Sequence, residues 1–394
     1  MGIFLDSLPM SGIVRIRDMM YTIQNPFRLD QGDVSFDAPD SVKQGMAKAI
    51  ENNHTHYLPT LGVPRFRQLI AEKMRTKNGI PVGSDDEVIV CNGGTHGIYV
   101  ALHAVLEPGD EVLCPDPLWP PSLAIIQSAH AVPVQVPVHE ELGFRWNLDE
   151  LEKAITAKTR AIYINSPTNP SGGAFPRSDL ERIAAMAKAH DLWVFSDEAY
   201  EDVLFTGEHV SIASLPGMYE RTIPIYTMSK SYAITGVRVG YIAIKDKKIR
   251  ARAAKVTLYT ASNVCSIAQY GGIGALEGPQ DCIAEFKTEL KIRRDLFYTG
   301  LKDVAGHVFS GNPPEGAFYA FVKIDRDWAR DKGLDKTESV SWAVAEHIIK
   351  HGRVGCVPGV DFGPASEGYL RFCTCRDRTE LTGALESMRA VFAS

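Results

Sequence analysis

Long apolar runs are missing from this chain. No stretch approaches the ~20 residues that a membrane-spanning helix requires, so an integral helical membrane protein is excluded. A basic excess is missing too. The 42 Lys and Arg against 48 Asp and Glu leave a formal net charge of −6, which gives no footing for nucleic acid or an anionic membrane. Cysteine is sparse and unpatterned: Cys91, Cys114, Cys265, Cys282, Cys356, Cys373 and Cys375 make an odd, scattered set of seven. That argues against a disulfide framework and for a reducing cytoplasm. Cys373 and Cys375 fall on one face of a strand, but no CxxC partner or histidine cluster accompanies them, so no metal site is expected. His54-Thr55-His56 reads as a loop feature. No GxGxxG opens a helix after a strand, which removes a nicotinamide-dinucleotide enzyme from consideration. The first residues lack a basic segment followed by a long apolar one, so no signal peptide is expected. A myristoylation pattern fails at Asp6, where Ser or Thr is needed. No internal repeat or low-complexity segment stands out.

What remains is ordinary globular composition, 45% hydrophobic and 23% charged over 394 residues, enough for one large or two medium cores. The middle of the chain alternates short apolar runs with amphipathic stretches. Strands are expected over 87–90, 111–114, 131–138, 161–164, 192–195 and 222–226, and helices over 98–106, 121–129, 148–155 and 178–190. Gly93-Gly94-Thr95-His96-Gly97 reads as a turn. This β-α rhythm predicts an α/β fold, a mostly parallel sheet with helices on both faces. The remainder differs. A long polar helix over 281–303, strands over 318–322 and 369–373, and a helix over 340–351 predict a smaller α+β domain at the C-terminus. The Pro- and Gly-punctuated N-terminal residues are expected to join it. The expected divisions are residues 1–45 (arm and part of the small domain), 46–285 (large α/β domain) and 286–394 (small domain).

The chemistry-bearing residues collect after the expected strands. Gly93-Gly94-Thr95 follows one, Asn165 to Gly172 another, Asp197 a third, and Lys230 a fourth. In parallel α/β sheets ligands sit beyond the carboxyl ends of the strands, so four separate segments point to one edge. Lys230 lies among hydroxyls in Tyr226-Thr227-Met228-Ser229-Lys230-Ser231-Tyr232, and Arg238 follows eight residues on. An amine can form an imine with an aldehyde, an acid can hold a ring nitrogen protonated, and an arginine with hydroxyls can hold a phosphate. Pyridoxal 5'-phosphate (PLP) needs all three.

With Asn169-Pro170-Ser171-Gly172, Ser196-Asp197-Glu198-Ala199-Tyr200, Ser229-Lys230 and Arg238 in this order and spacing, the chain resembles the class I/II PLP-dependent aminotransferases of fold type I, related to aspartate aminotransferase. The likeness runs from Ser11-Gly12-Ile13 and Gly32-Asp33-Val34-Ser35-Phe36-Asp37 to Tyr369-Leu370-Arg371-Phe372. It implies that Lys230 forms the imine with the cofactor and, once freed, moves the Cα proton. It implies that Asp197 pairs with the pyridine nitrogen, although Asp is also favoured as a helix N-cap. By the same resemblance, Tyr200 and Asn169 reach the cofactor's phenolic oxygen, Trp119 stacks on its face, and Gly94, Thr95, Thr227 and Arg238 cradle its phosphate. Tyr57 is implied to reach the phosphate of a neighbouring subunit, which makes the enzyme a homodimer with a shared site. Arg371 would grip the substrate α-carboxylate, Gly32 would let backbone approach it, and Trp119 and Asn169 would also flank the substrate. Cis peptides are implied at Asn169-Pro170 and Asp116-Pro117. Where many relatives have Trp before the phosphate arginine, this chain has Val237. No motif identifies a residue that reads the substrate side chain.

The implied activity is transfer of an amino group between an L-amino acid and a 2-oxo acid by a ping-pong route. A lyase of the same fold is the competing enzyme. A ligand-sensing regulator is the competing non-enzyme, and it would carry an extra basic DNA-binding segment.

Overall fold

The computed structural model describes Asp6 and residues 10–393. Two sheets organise them. The larger has eight strands: β1 (Val88–Cys91), β2 (Glu111–Asp116), β3 (Val132–His139), β4 (Arg145–Trp146), β5 (Thr159–Asn165), β6 (Trp193–Asp197), β7 (Thr222–Thr227) and β8 (Gly240–Ala243). Their spatial order is β1-β8-β7-β6-β5-β2-β3-β4. β3, β2, β5, β6 and β7 pair in parallel. β8 runs antiparallel to both β7 and β1, so β1 points the same way as β7. The carboxyl ends of β1, β5, β6 and β7 therefore share one edge.

These strands read as unbroken apolar runs because both faces are covered. Val88–Cys91, for example, is buried at every position. The covering helices carry the matching stripe. In the helix Arg177–Ala189, Leu180, Ile183, Ala184 and Ala187 recur at helical spacing and are buried. The second sheet is smaller and antiparallel: β9 (Phe309–Ser310), β10 (Tyr319–Ile324), β11 (Val357–Pro358) and β12 (Tyr369–Cys373), in the order β11-β12-β10-β9. The helices Val340–Gly352 and Arg378–Phe392 pack on it around Val322, Ile348, Leu370, Phe372 and Leu385. Leu29 joins that core, and Phe27 exchanges backbone hydrogen bonds with Arg353 and Gly355 at 2.9 Å. The helix Asp281–Ala305 links the regions of the two sheets.

Gly93–Gly97 is not a free turn. Helix begins at Gly93 itself and runs to Val105, with Asn92 the one residue between it and β1; the sharp turn into the helix is made at Gly93, which takes φ +78°. Strands β4 and β8 were not expected, nor were the helices Asp40–Glu51, Pro64–Thr76, Lys247–Ala261 and Ser266–Glu277. The peptides before Pro117 and Pro170 are cis, and so is that before Pro167. Among the described residues no helix is long and apolar enough to cross a membrane.

Candidate active site

A cavity of about 460 Å³ opens at the shared edge, between the two sheets. Gly32, Gly94, Thr95, Trp119, Asn169, Asp197, Tyr200, Thr227, Lys230, Arg238 and Arg371 all line it. Of the residues given a site role from sequence, Tyr57 alone stands away, with 91% of its surface exposed.

Lys230 sits in a four-residue helix, Met228–Ser231, that follows β7 directly. The side chain of Thr227 caps it by accepting from the Ser229 N–H at 3.2 Å. The ammonium donates to the Gly32 carbonyl and lies 5.6 Å from the Phe318 ring. Burial lowers the Lys230 pKa, because a charge costs more away from water. A Cβ on Gly32 would come within 2.4 Å of the Tyr319 hydroxyl oxygen.

Asp197 ends β6 and is buried. No helix follows it, so it is not an N-cap. Its Oδ1 accepts from the Ala199 N–H at 3.2 Å and its Oδ2 from the Tyr163 hydroxyl at 3.0 Å. Burial pushes Asp197 up to about 6, against the pull of those two donors. The neighbouring Glu198 is engaged elsewhere, by His209 at 2.9 Å, Ser211 at 2.6 Å and Tyr226 at 2.7 Å. Burial works to raise Glu198, but these partners outweigh it and hold it low. Tyr200 shares a 2.6 Å hydrogen bond with Tyr319. Burial raises both phenols, so both remain neutral donors.

Two arginines face the cavity, and neither pairs with a carboxylate among the described residues. Arg371, on β12, is 2% exposed. Its Nη1 donates to Asn169 Oδ1 at 3.0 Å, its Nη2 to the Asp30 carbonyl at 2.7 Å, and its Nε has no partner among the described residues. The guanidinium is flanked by Tyr319, 4.6 Å away, and Phe362, 5.0 Å away. Arg238 donates to the Thr235 carbonyl at 2.8 Å. A Cβ on Gly93 would lie 2.5 Å from Arg238 Nη2, so the guanidinium rests against the first turn of the helix Gly93–Val105. The Asn92 side chain does not cap that helix start, and His96 Nδ1 accepts only from the Asn92 N–H, at 3.1 Å, outside the first helical turn. The helix's free N–H groups, Arg238, Thr227 and Ser229 form an anion cradle. The residues therefore fit PLP: an amine, an acid and a phosphate seat converge on one cavity. The cations lining it are Lys230, Arg238 and Arg371. A second substrate carboxylate finds no further cation among the described residues.

Several site residues escaped the sequence reading. Tyr163, Ser122, Tyr319 and Asp30 carry no local signal, and their roles arise from contacts across elements. Asn165 was quoted with its segment but given no role. Its Nδ2 donates to the Asp197 carbonyl at 3.1 Å and its Oδ1 accepts from the Asn169 N–H at 2.8 Å, which ties the two segments together.

An α/β sheet with this edge defines a PLP enzyme of fold type I. The profile of the family described as aminotransferase class I and II matches residues 24–388. An aspartate aminotransferase of Pyrococcus abyssi is 35% identical over 390 residues, covering 98% of this chain and 97% of the relative. Aromatic-amino-acid aminotransferase 2 of Thermococcus litoralis is 34% identical with the same coverage. The crystal structure of an aromatic aminotransferase from Pyrococcus horikoshii superimposes with a TM-score of 0.87 at 37% identity, over 96% of this chain and 98% of that one. The chain belongs to the class I and II aminotransferases. It is a PLP-dependent transaminase that moves an amino group between an amino acid and a 2-oxo acid.

Proposed function

We propose that Lys230 is the imine-forming and proton-shuttling residue of a two-stage, ping-pong transamination. The observation that carries this reading is its burial in one cavity with Asp197, Arg238 and Arg371. PLP, when bound, supplies an aldehyde that exchanges between amines and a ring that accepts electron density from the substrate Cα. Thr227, Ser229, Arg238, Gly94 and Thr95 hold its phosphate. Asp197 holds its ring nitrogen protonated, and Tyr200 with Asn169 binds its phenolic oxygen. Trp119 covers its face. Arg371 takes the substrate carboxylate as a bidentate fork, with its direction set by Asn169 and the Asp30 carbonyl. Gly32 leaves room for that carboxylate.

Lys230 carries the proton off Cα and delivers it again. Its lowered pKa leaves more of the neutral amine near neutral pH, which suits a general base. One cavity serves both stages, so the first product leaves before the second substrate enters.

We further propose a homodimer in the cytoplasm, in which Tyr57 completes the neighbouring phosphate seat. The chain then divides into an arm with part of the small domain over 1–45, a large domain over 46–285 and the rest of the small domain over 286–394.

An absorbance titration with single amino acids tests the assignment. The wild type is expected to convert its cofactor from the aldehyde-form to the amine-form spectrum with no acceptor present. Lys230→Ala is expected to bind PLP without this conversion. Turnover retained by Lys230→Ala, or intersecting initial-rate lines in the wild type, would overturn it.

A further inference from the structure

Asp197 is a buried carboxylate that relies on neutral donors. Its Oδ2 takes the Tyr163 hydroxyl at 3.0 Å. Tyr163 has one hydroxyl hydrogen, and Asp197 receives it. The Ser122 hydroxyl lies 3.0 Å from the Tyr163 oxygen, so Ser122 is the donor in that contact. Both residues are 0% exposed. Every O–H in the chain Ser122, Tyr163, Asp197 thus points toward the carboxylate. Hydrogen bonds in series polarise one another, and a dry setting strengthens them. The three members come from three elements: the helix Pro120–Ser128, which begins beside Trp119, then β5 and β6.

We propose that Tyr163, backed by Ser122, is a positioning residue of the transamination: it keeps Asp197 ionised and sets the direction in which that carboxylate faces the cofactor. This rests on the assignment of Asp197 to the ring nitrogen. Packing alone requires no hydroxyl at position 163, since a phenylalanine fills the same space. The Tyr163 hydrogen bond is the foremost influence opposing the rise that burial imposes on Asp197. Burial, and then the Asp197 charge, push the Tyr163 phenol well above its usual value, so it donates throughout the working range. The other titratable groups around the pair are Glu198, Tyr200 and Cys114. Glu198 is held by His209, Ser211 and Tyr226, and burial keeps Tyr200 and Cys114 neutral.

The test compares Tyr163→Phe and Ser122→Ala with wild type in two readouts between about pH 5 and pH 8: the dissociation constant of PLP, and kcat/KM. Loss of a donor to the charged form raises the Asp197 pKa, so the acid limb must move upward. In Tyr163→Phe both limbs are expected to move up by about one pH unit, with PLP held about tenfold more weakly toward pH 5 and only about twofold more weakly near neutrality. Ser122→Ala is expected to move them the same way by less. Unmoved limbs in Tyr163→Phe, with or without a uniform loss of activity, would mark mere packing and overturn the proposal. Should Tyr163→Phe fail to fold, an unmoved limb in Ser122→Ala overturns it equally. Asp197→Asn separates the two levels. If that variant binds PLP and turns over like wild type, the assignment of Asp197 itself fails. If it is inactive while Tyr163→Phe matches wild type, only the relay fails.

Discussion

The Arg371 guanidinium sits where water hardly reaches, with one nitrogen unpaired and no carboxylate paired to it among the described residues. Leaving a guanidinium so exposed to desolvation is costly unless an anion completes it. Arg371→Leu is therefore expected to lower kcat/KM for amino acids by about a hundredfold or more. Arg371→Lys should recover part of this, keeping the charge but losing the fork. Steady-state kinetics check both, and amine donors without a carboxylate serve as the control, since they should lose little. Lys230 and Asp197 were legible in sequence because charged residues stand out at the ends of apolar strand runs, whereas Arg371, inside a strand, was reached only through the family resemblance. Tyr163 and Tyr319 were not. Within 161–164 and 318–322 each reads as one more buried aromatic. Their hydroxyl partners lie 34 and 119 residues away in the chain, and nothing local announces them.

Elements with a clean apolar stripe were the readable ones. The helix Arg177–Ala189 was expected within a residue or so of its ends. The helix Ser266–Glu277 hides because it has no polar face to contrast: Gly271, Gly272 and Gly274 lie among apolar residues. Those glycines permit near contact with the helix Asp40–Glu51, since a Cβ on Gly274 would lie 2.2 Å from the Ser41 carbonyl. Such a requirement belongs to the partner helix and cannot be seen in either segment alone. The helix Asp281–Ala305 carries a testable ion pair. Glu289 accepts from Arg378, on the helix Arg378–Phe392, and from Arg293 at 2.8 Å. Arg378 foremost draws Glu289 down to about 2, below its unfolded value of about 4.3. The folded value being the lower, this stabilisation is complete above about pH 4.3 and fades as pH falls through about 2. Solvent reaches the pair, so it is worth about 1 kcal/mol at most. Glu289→Gln is expected to cost about that much at neutral pH and progressively less in acid, as read by urea unfolding at neutral pH and at about pH 3. An equal cost at both would mean that the charge contributes nothing.

At the scale of the molecule, the alternation of strands and helices revealed two sheets of different kind but not how they face each other. That relation is written in single contacts such as Arg371 to Asn169, which no periodicity encodes. The exposed ring of Tyr57 sets a prediction here. If it serves a second copy, Lys230→Ala chains and Tyr57→Ala chains should complement when refolded together. Half of the dimers would be mixed, each with one intact site, giving about a quarter of wild-type activity at limiting PLP. Activity no higher than the mean of the two parents would rule out a shared site. The Arg371 contact has a mechanical consequence as well. Arg371 belongs to the small sheet through β12, and Asn169 to the loop after β5 of the large one. A carboxylate seated there works as a rivet through two plates, so simple carboxylic acids should stiffen the joint and slow proteolytic nicking around it before any nitrogen changes hands.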